Sequence, residues 1–211
     1  MATTKAFKVG IIIGSQRIVR VGPQIANFVH ETIKVADKKA STPRPPITFE
    51  IVDIKTANLP MFDEPIIPQQ IQSADGYANE HTRVWSRRIA ALDAFIFVTS
   101  QRNWGIPAEL KNAIDYLFRE WKGKPAMIVT YGGHGGTSCA AHLKTVLGSM
   151  GVRVPEKMVA MAFPTAEFRV KCFKGQELGL DASNDDEPWA KHRDEIASAW
   201  DDLVENLLVP Q

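Results

Sequence analysis

The chain has 211 residues, 45% of which are hydrophobic, and its 25 basic and 24 acidic residues leave a formal net charge of +1. This length suits one ordinary domain over residues 1–211, and the hydrophobic fraction is enough for a substantial core. The balance of charge provides no broad basic surface for nucleic acid or an anionic membrane, and no apolar run approaches the roughly 18 residues that span a bilayer.

Targeting signals and cysteines indicate the compartment. Residues 1–5 lead directly into an apolar run, so we expect neither a signal peptide nor an Arg-rich transit peptide. The two cysteines, Cys139 and Cys172, lie far apart in sequence and form no metal-ligand pair. We therefore expect a reduced, cytoplasmic protein without a bound metal.

Apolar runs alternate with helical patterns along the chain. The first run, residues 7–13, ends at Gly14 and is uninterrupted, as expected for a strand buried on both faces. Pro23 then suits the first turn of a helix. The other predicted strands cover residues 47–54, 94–99, 125–131 and 152–161, and the later predicted helices cover residues 74–92, 107–121, 136–150 and 189–207.

This alternation predicts an α/β fold. Parallel strands need long crossover connections, usually helices, so we expect a flavodoxin-like, doubly wound five-stranded parallel sheet with helices on both faces. Two long segments interrupt the pattern: residues 55–73 are irregular and proline-rich, and residues 163–186 are predicted to be a surface excursion. Residues 60–73 and residues 163–186 could each bind a partner, or cover the site or the sheet edge as structure.

Three polar or glycine-rich loops follow the first, third and fourth predicted strands. They are residues 14–17 (GSQR), 102–107 (RNWGIP) and 131–136 (YGGHGG). Because the carboxyl ends of parallel strands meet at one edge, where such folds bind ligands, the three loops predict one shared binding site.

The first loop has the chemistry of an anion site. A helix N-terminus presents unpaired N–H groups and partial positive charge, and Ser15, Arg17 and Arg20 add donors suited to phosphate oxygens. The alternative is a surface turn with an N-capping serine and two solvated arginines. No G-x-G-x-x-G, no P-loop motif and no acidic pair follows the strand, which argues against a dinucleotide site, a P-loop NTPase and a magnesium-dependent phosphoacceptor.

The other two loops offer a surface for a planar ring. Residues 99–107 concentrate amide, guanidinium and indole groups beside a glycine, although Trp104 could instead pack and Asn103 could simply form a turn. Four glycines surround His134 and allow backbone amides to approach a ligand closely. The role of the His134 imidazole stays open.

These three motifs, in this order, resemble those of the NADPH-dependent FMN reductase family of flavodoxin-like proteins, particularly its fungal quinone reductases. The resemblance covers about the first three-quarters of the chain and includes LKNAID at residues 110–115. It implies a noncovalent FMN, NADPH or NADH as electron donor, and small-molecule acceptors such as quinones, azo compounds or free flavin. It also implies a homodimer or homotetramer, for which the apolar helix over residues 110–121 is a candidate contact.

By this resemblance the flavin carries the chemistry and no catalytic side chain is needed. Arg102, Trp104 and His134 are possible contacts of the nicotinamide or the acceptor. The implied cofactor-binding residues are Ser15, Arg17, Arg20, Val21 and Gly22 for the phosphate, and Gln101, Arg102, Asn103, Trp104, Gly132, Gly133, His134 and Gly135 for the ring.

The middle loop departs from the family pattern. The family commonly has Pro-Glu/Gln-Tyr-Asn where this chain has Ser-Gln-Arg-Asn, so Arg102 replaces an aromatic residue. Arg102 could stack on the ring, stabilise a reduced anionic flavin, meet the 2′-phosphate of NADPH, or weaken flavin binding. The alternatives to an oxidoreductase are a flavin-binding redox-sensing or interaction module with little turnover, and a nucleotide-binding α/β protein that uses another phosphate ligand.

Overall fold

The computed structural model describes residues 6–209, and the expectation about residues 1–5 lies outside that range. The chain forms five strands: β1 (Phe7–Ile13), β2 (Ile47–Asp53), β3 (Ala94–Ser100), β4 (Ala126–Gly132) and β5 (Val159–Ala162). They make one sheet in the order β2-β1-β3-β4-β5, and all four neighbouring pairs are parallel. The predicted five-stranded parallel sheet is confirmed.

Helices cover both faces of this sheet, because its central strands are apolar on both sides. Alternate residues point to opposite faces, so Ile11 packs in one core and Ile12 in the other. The helices are α1 (Gly22–Lys39), α2 (Ile54–Ala57), α3 (Glu80–Ala90), α4 (Ala108–Asp115), α5 (Thr137–Ser149), α6 (Ala166–Lys174) and α7 (Arg193–Leu208), with 3-10 turns at Pro68–Gln70, Ala74–Gly76 and Ala190–His192. The first core lies under α1, α6 and α7, and the second under α3, α4 and α5.

Two predicted helices are shorter than their apolar patterns suggested. The helix predicted over residues 74–92 is a 3-10 turn followed by α3, because the Glu64 carboxylate accepts the N–H groups of Ala78 and Asn79 just before α3. The helix predicted from Pro107 ends at Asp115, and residues 116–123 form turns. There the buried Glu120 accepts the Phe118 N–H and the Ser86 hydroxyl proton.

The apolar stripe of that predicted helix is buried. Leu110, Ile114, Leu117 and Trp121 are at most 1% exposed and pack in the core beneath α4. The stripe is therefore packed within the chain, and a subunit contact made by this helix stays a prediction.

The C-terminal third also differs from the prediction. The strand predicted over residues 152–161 shrinks to β5, because Pro155 has no N–H for a sheet ladder and only Arg153 forms an isolated bridge, to Pro125. Residues 163–186 are more than a surface excursion, since they contain α6 and bury Phe168 and Cys172 in the core.

Candidate functional site

The three loops predicted to share a site do line one cavity. It has a volume of about 410 Å³ and lies at the carboxyl edge of the sheet. Gly22 and Gly135 lie outside its lining. The predicted residues that line it are Ser15, Arg17, Arg20, Val21, Gln101, Arg102, Asn103, Trp104, Gly132, Gly133 and His134.

Gly14 lets the first loop leave β1 in close contact with β3. Its N–H donates to the Val98 carbonyl at 2.9 Å, and a Cβ at this position would lie 2.6 Å from Thr99 Oγ1 and 2.8 Å from Leu110 Cδ2. No side chain fits there without moving both neighbours.

We therefore expect Gly14→Ala to lower the free energy of unfolding by about 1–3 kcal/mol, the usual cost of overpacking a core. The matched control is Gly148→Ala in α5, where nothing lies within 4 Å of the added Cβ. Because alanine stabilises a helix more than glycine does, the free energy of unfolding of this control should rise by about 0.5–1 kcal/mol. Urea unfolding of both variants measures the difference, and losses of equal size would contradict the packing argument.

Ser15 is buried, at 2% exposed, and belongs to the loop rather than to a helix cap. Helix α1 begins at Gly22, and Val21 at its N-cap position makes no side-chain cap. The N-capping alternative for Ser15 is therefore wrong, and the first N–H groups of α1 have no side-chain cap.

Arg102 is held between the first loop and α4. Its Nη1 donates to Glu109 Oε2 at 2.9 Å, its Nη2 lies 2.6 Å from Glu109 Oε1, and Nη2 also donates to Ser15 Oγ at 3.1 Å. Glu109 Oε1 in turn accepts the Gln16 N–H at 3.1 Å. Glu109 thus joins two of the loops and neutralises Arg102, whose buried Nε has no partner among the described residues.

Arg20 is also paired. Its guanidinium donates to both carboxylate oxygens of Asp53, at the end of β2, and to the Ser15 carbonyl. Burial would raise the pKa of Asp53, but hydrogen bonds from Arg20 and the Lys55 N–H hold that pKa below its ordinary value. Arg17, in contrast, is exposed and has no ion pair among residues 6–209.

The middle loop is a tight turn that carries an exposed indole. Arg102 and Gly105 exchange backbone hydrogen bonds at 3.1 and 2.8 Å, and the φ angles of Asn103 and Trp104 between them are +46° and +63°. Asn103 therefore has the turn role. Trp104 does not pack in the core: it is 60% exposed and stacks on His134, with ring centroids 5.6 Å apart.

The glycine loop contains two kinds of glycine. Gly135 and Gly136 have positive φ, and a Cβ at either would lie 2.9 Å from another residue, Ala160 or Thr130. A Cβ at Gly132 or Gly133 would meet nothing within 4 Å. The first pair shapes the turn, and the second pair leaves space on the cavity side. At the start of α5, Gln101 Oε1 accepts the Cys139 N–H.

Sequence reasoning missed six residues that line the cavity. Tyr131 lies close to α1, since a Cβ at Gly22 would be 3.0 Å from its hydroxyl oxygen, and burial raises its pKa to about 12. Its phenol is therefore a neutral hydrogen-bond donor. Two of the six, Ser100 and Tyr131, lie within the predicted loops over residues 99–107 and 131–136 but were not assigned to the site. The six are Val19, Ser100, Tyr131, Phe163, Cys172 and Phe173.

Residues 6–209 contain no group of three or more His, Cys, Asp or Glu side chains placed to hold a metal ion. Within the same residues, no helix combines the length and the apolar character that crossing a membrane requires.

The strand order and the three loops at one edge define a flavodoxin-like α/β protein. The NADPH-dependent FMN reductase family profile matches residues 7–166, and the chain belongs to this family.

The chain is 46% identical over 158 residues to NAD(P)H-dependent FMN reductase LOT6 of Saccharomyces cerevisiae, a match that covers 70% of this chain and 81% of that one. It is 32% identical over 207 residues to NAD(P)H-dependent FMN reductase ntnL of Nectria sp., covering 97% and 98% of the two chains. Among solved structures, the flavoenzyme NAD(P)H:(acceptor) oxidoreductase FerB of Paracoccus denitrificans superposes with a TM-score of 0.68 at 22% identity, over 94% of this chain and 97% of that one.

Proposed function

We propose that this protein is an FMN-dependent oxidoreductase that passes hydride from NADPH or NADH, through the bound flavin, to quinones, azo compounds, free flavin or similar acceptors. The observation that carries the proposal is one cavity lined by three loops. They are the anion-type loop after β1 (residues 14–21), the turn after β3 that carries Trp104, and the glycine loop after β4 (residues 132–136). The names of the relatives also support an oxidoreductase. One of them is a quinone reductase of Escherichia coli that is 32% identical to this chain over 101 residues, which make up 45% of this chain and 53% of that one.

The residues present fit FMN. The phosphate needs donors, and the loop offers the Ser15 hydroxyl, the Arg17 guanidinium and the first N–H groups of α1. The ring needs a flat space, and Gly132 and Gly133 leave one. The buried Arg102 Nε, which has no partner among the described residues, is a further donor for a ligand oxygen.

Each loop has a distinct task in this proposal. When bound, FMN supplies the acceptance and donation of hydride. Ser15, Arg17, Val21 and Gly22 hold the phosphate, and Arg20 supports them through Asp53. The other two loops, residues 101–104 and 132–135, orient the ring, while the stacked pair of Trp104 and His134 offers a flat surface to the nicotinamide or the acceptor.

We further propose a cytoplasmic homodimer or homotetramer without nucleic-acid or membrane partners. Since the stripe over residues 110–121 is buried, the candidates for the subunit contact are exposed apolar side chains before α3, namely Met61, Ile66 and Ile67. Sedimentation of the wild type and of an Ile66→Glu, Ile67→Glu variant tests this assignment.

An anaerobic absorbance spectrum with added FMN, taken before and after NADPH, tests the function. We expect a perturbed flavin spectrum that bleaches on NADPH addition and returns when a quinone is added. Bound flavin that does not bleach would favour the sensing module instead. No flavin binding would contradict the cofactor assignment.

Glu109→Gln is expected to strengthen FMN binding about 3- to 10-fold, because it removes a negative charge near the phosphate loop while keeping an oxygen for the Gln16 N–H. Glu156→Gln is the control, since Glu156 carries the same charge but is 95% exposed and pairs with Lys144. Fluorescence titration at low and high salt measures both variants. Equal affinity in Glu109→Gln and the wild type would show that Glu109 does not act on the phosphate.

A further inference from the structure

The segment after β5 forms one wall of the cavity. Phe163, Cys172 and Phe173 line it, and the last two belong to α6. The match to the family profile ends at residue 166, where α6 begins, so Cys172 and Phe173 lie beyond the matched residues.

The C-terminal end of α6 lies against the anion-type loop. Gly175 ends the helix with φ +64°, and a Cβ there would lie 2.9 Å from Val19 Cγ1 and 3.4 Å from the Arg20 nitrogen. Gln24, in α1, then holds the following residues: its Nε2 donates to the Gln176 carbonyl at 3.1 Å, and its Oε1 accepts the Leu178 N–H at 2.9 Å. The segment is therefore tied to the helix that begins at the loop.

The other side of α6 is fixed in the core. The Phe168 ring lies 4.9 Å from the buried Trp189 ring, and Phe163 stacks on the same indole at 6.4 Å. Cys172 is only 6% exposed, and burial raises its pKa to about 11, so its thiol is a packing group rather than a nucleophile. Phe173 is 59% exposed and borders the cavity. Helix α6 is a fixed wall with one apolar side chain at its free edge.

We propose that α6 closes the phosphate end of the cavity and restricts it to a mononucleotide flavin, with Phe173 and Val19 as the residues that determine this specificity. The inference rests on the proposed function. A flavin adenine dinucleotide carries a second phosphate and an adenosine beyond the first phosphate, and so needs room beside the loop that holds it. Val19 and Phe173 line the cavity at this loop, and Gly175 at the end of α6 lies directly against Val19, so α6 limits the space on this side.

The test compares the affinities of the apoprotein for FMN and for flavin adenine dinucleotide, measured by quenching of flavin fluorescence. We expect the wild type to prefer FMN at least 100-fold. Phe173→Ala should lower the ratio of the affinity for FMN to the affinity for flavin adenine dinucleotide at least fivefold. Val19→Ala combined with Phe173→Ala should lower this ratio further. Val170→Ala is the matched control, because Val170 is a 45% exposed apolar residue of the same helix that does not line the cavity.

The outcomes separate the two proposals. If the wild type binds FMN but the affinity ratio is unchanged in Phe173→Ala and in the double variant, the role of α6 is overturned and the proposed function stays intact. A wild type that binds both flavins equally would do the same. A wild type that binds neither would overturn the proposed function itself. Melting temperatures confirm that the variants are folded.

Discussion

Replacing Trp189 with alanine is expected to lower the free energy of unfolding by about 3–5 kcal/mol, the range for removal of a fully buried tryptophan. Trp189 is 0% exposed, and its indole N–H donates to the Ala162 carbonyl, at the end of β5, at 2.8 Å. Its ring also contacts Phe28 of α1 and Phe168 of α6. One side chain thus joins the sheet edge to two helices, and its loss leaves a cavity at their junction.

Trp104→Ala is the matched control, because it removes the same side chain from a position that is 60% exposed. We expect that control to stay within about 0.5 kcal/mol of the wild type. Urea unfolding followed by circular dichroism avoids the change in tryptophan fluorescence. If both variants lose the same free energy of unfolding, Trp189 does not stabilise the junction of β5, α1 and α6.

The sheet and the position of the site could be predicted because their signals are local. The run from Phe7 to Ile13 has the bounds of β1, and the strand predicted over residues 94–99 differs from β3 by one residue. Strands buried on both faces are continuously apolar, so they stand out in one sequence. Once the strands are parallel, the edge at which their loops meet is determined.

The side-chain contacts of the site and the exact start of α3 depend on residues that are distant in sequence. Arg20 pairs with Asp53, 33 positions away, so its partner could not be recognised from the sequence. Arg102 has its ion-pair partner Glu109 only seven positions away, but its contact with Ser15 spans 87 positions. Glu64 likewise accepts the N–H of Ala78, 14 residues further along the chain and just before α3. Phe173 reaches the cavity only because α6 folds back over the first loop, and nothing in its local sequence indicates that path.

Arg20→Ala is expected to weaken FMN binding about 10- to 100-fold, which corresponds to about 1.4–2.7 kcal/mol. The substitution leaves the Asp53 carboxylate without its cation beside the proposed phosphate site, and it releases the Ser15 carbonyl that Arg20 holds. Stability should fall as well, by about 1–3 kcal/mol, less than for a fully buried pair because the two side chains are 13% and 17% exposed. Flavin titration and urea unfolding measure the two effects.

The double variant Arg20→Ala, Asp53→Asn separates repulsion from lost structure. Without the carboxylate, FMN affinity should recover in large part if repulsion dominates, and should stay low if Arg20 itself binds the phosphate. The pH dependence gives a second readout. Because folding lowers the Asp53 pKa, the pair stabilises the wild type fully above the ordinary value of 3.8, and this contribution is lost as the pH falls through the folded pKa. Between pH 5 and a pH below the folded pKa of Asp53, Arg20→Ala should therefore lose less free energy of unfolding than the wild type does. Equal losses in the two proteins over this pH range would contradict the pairing.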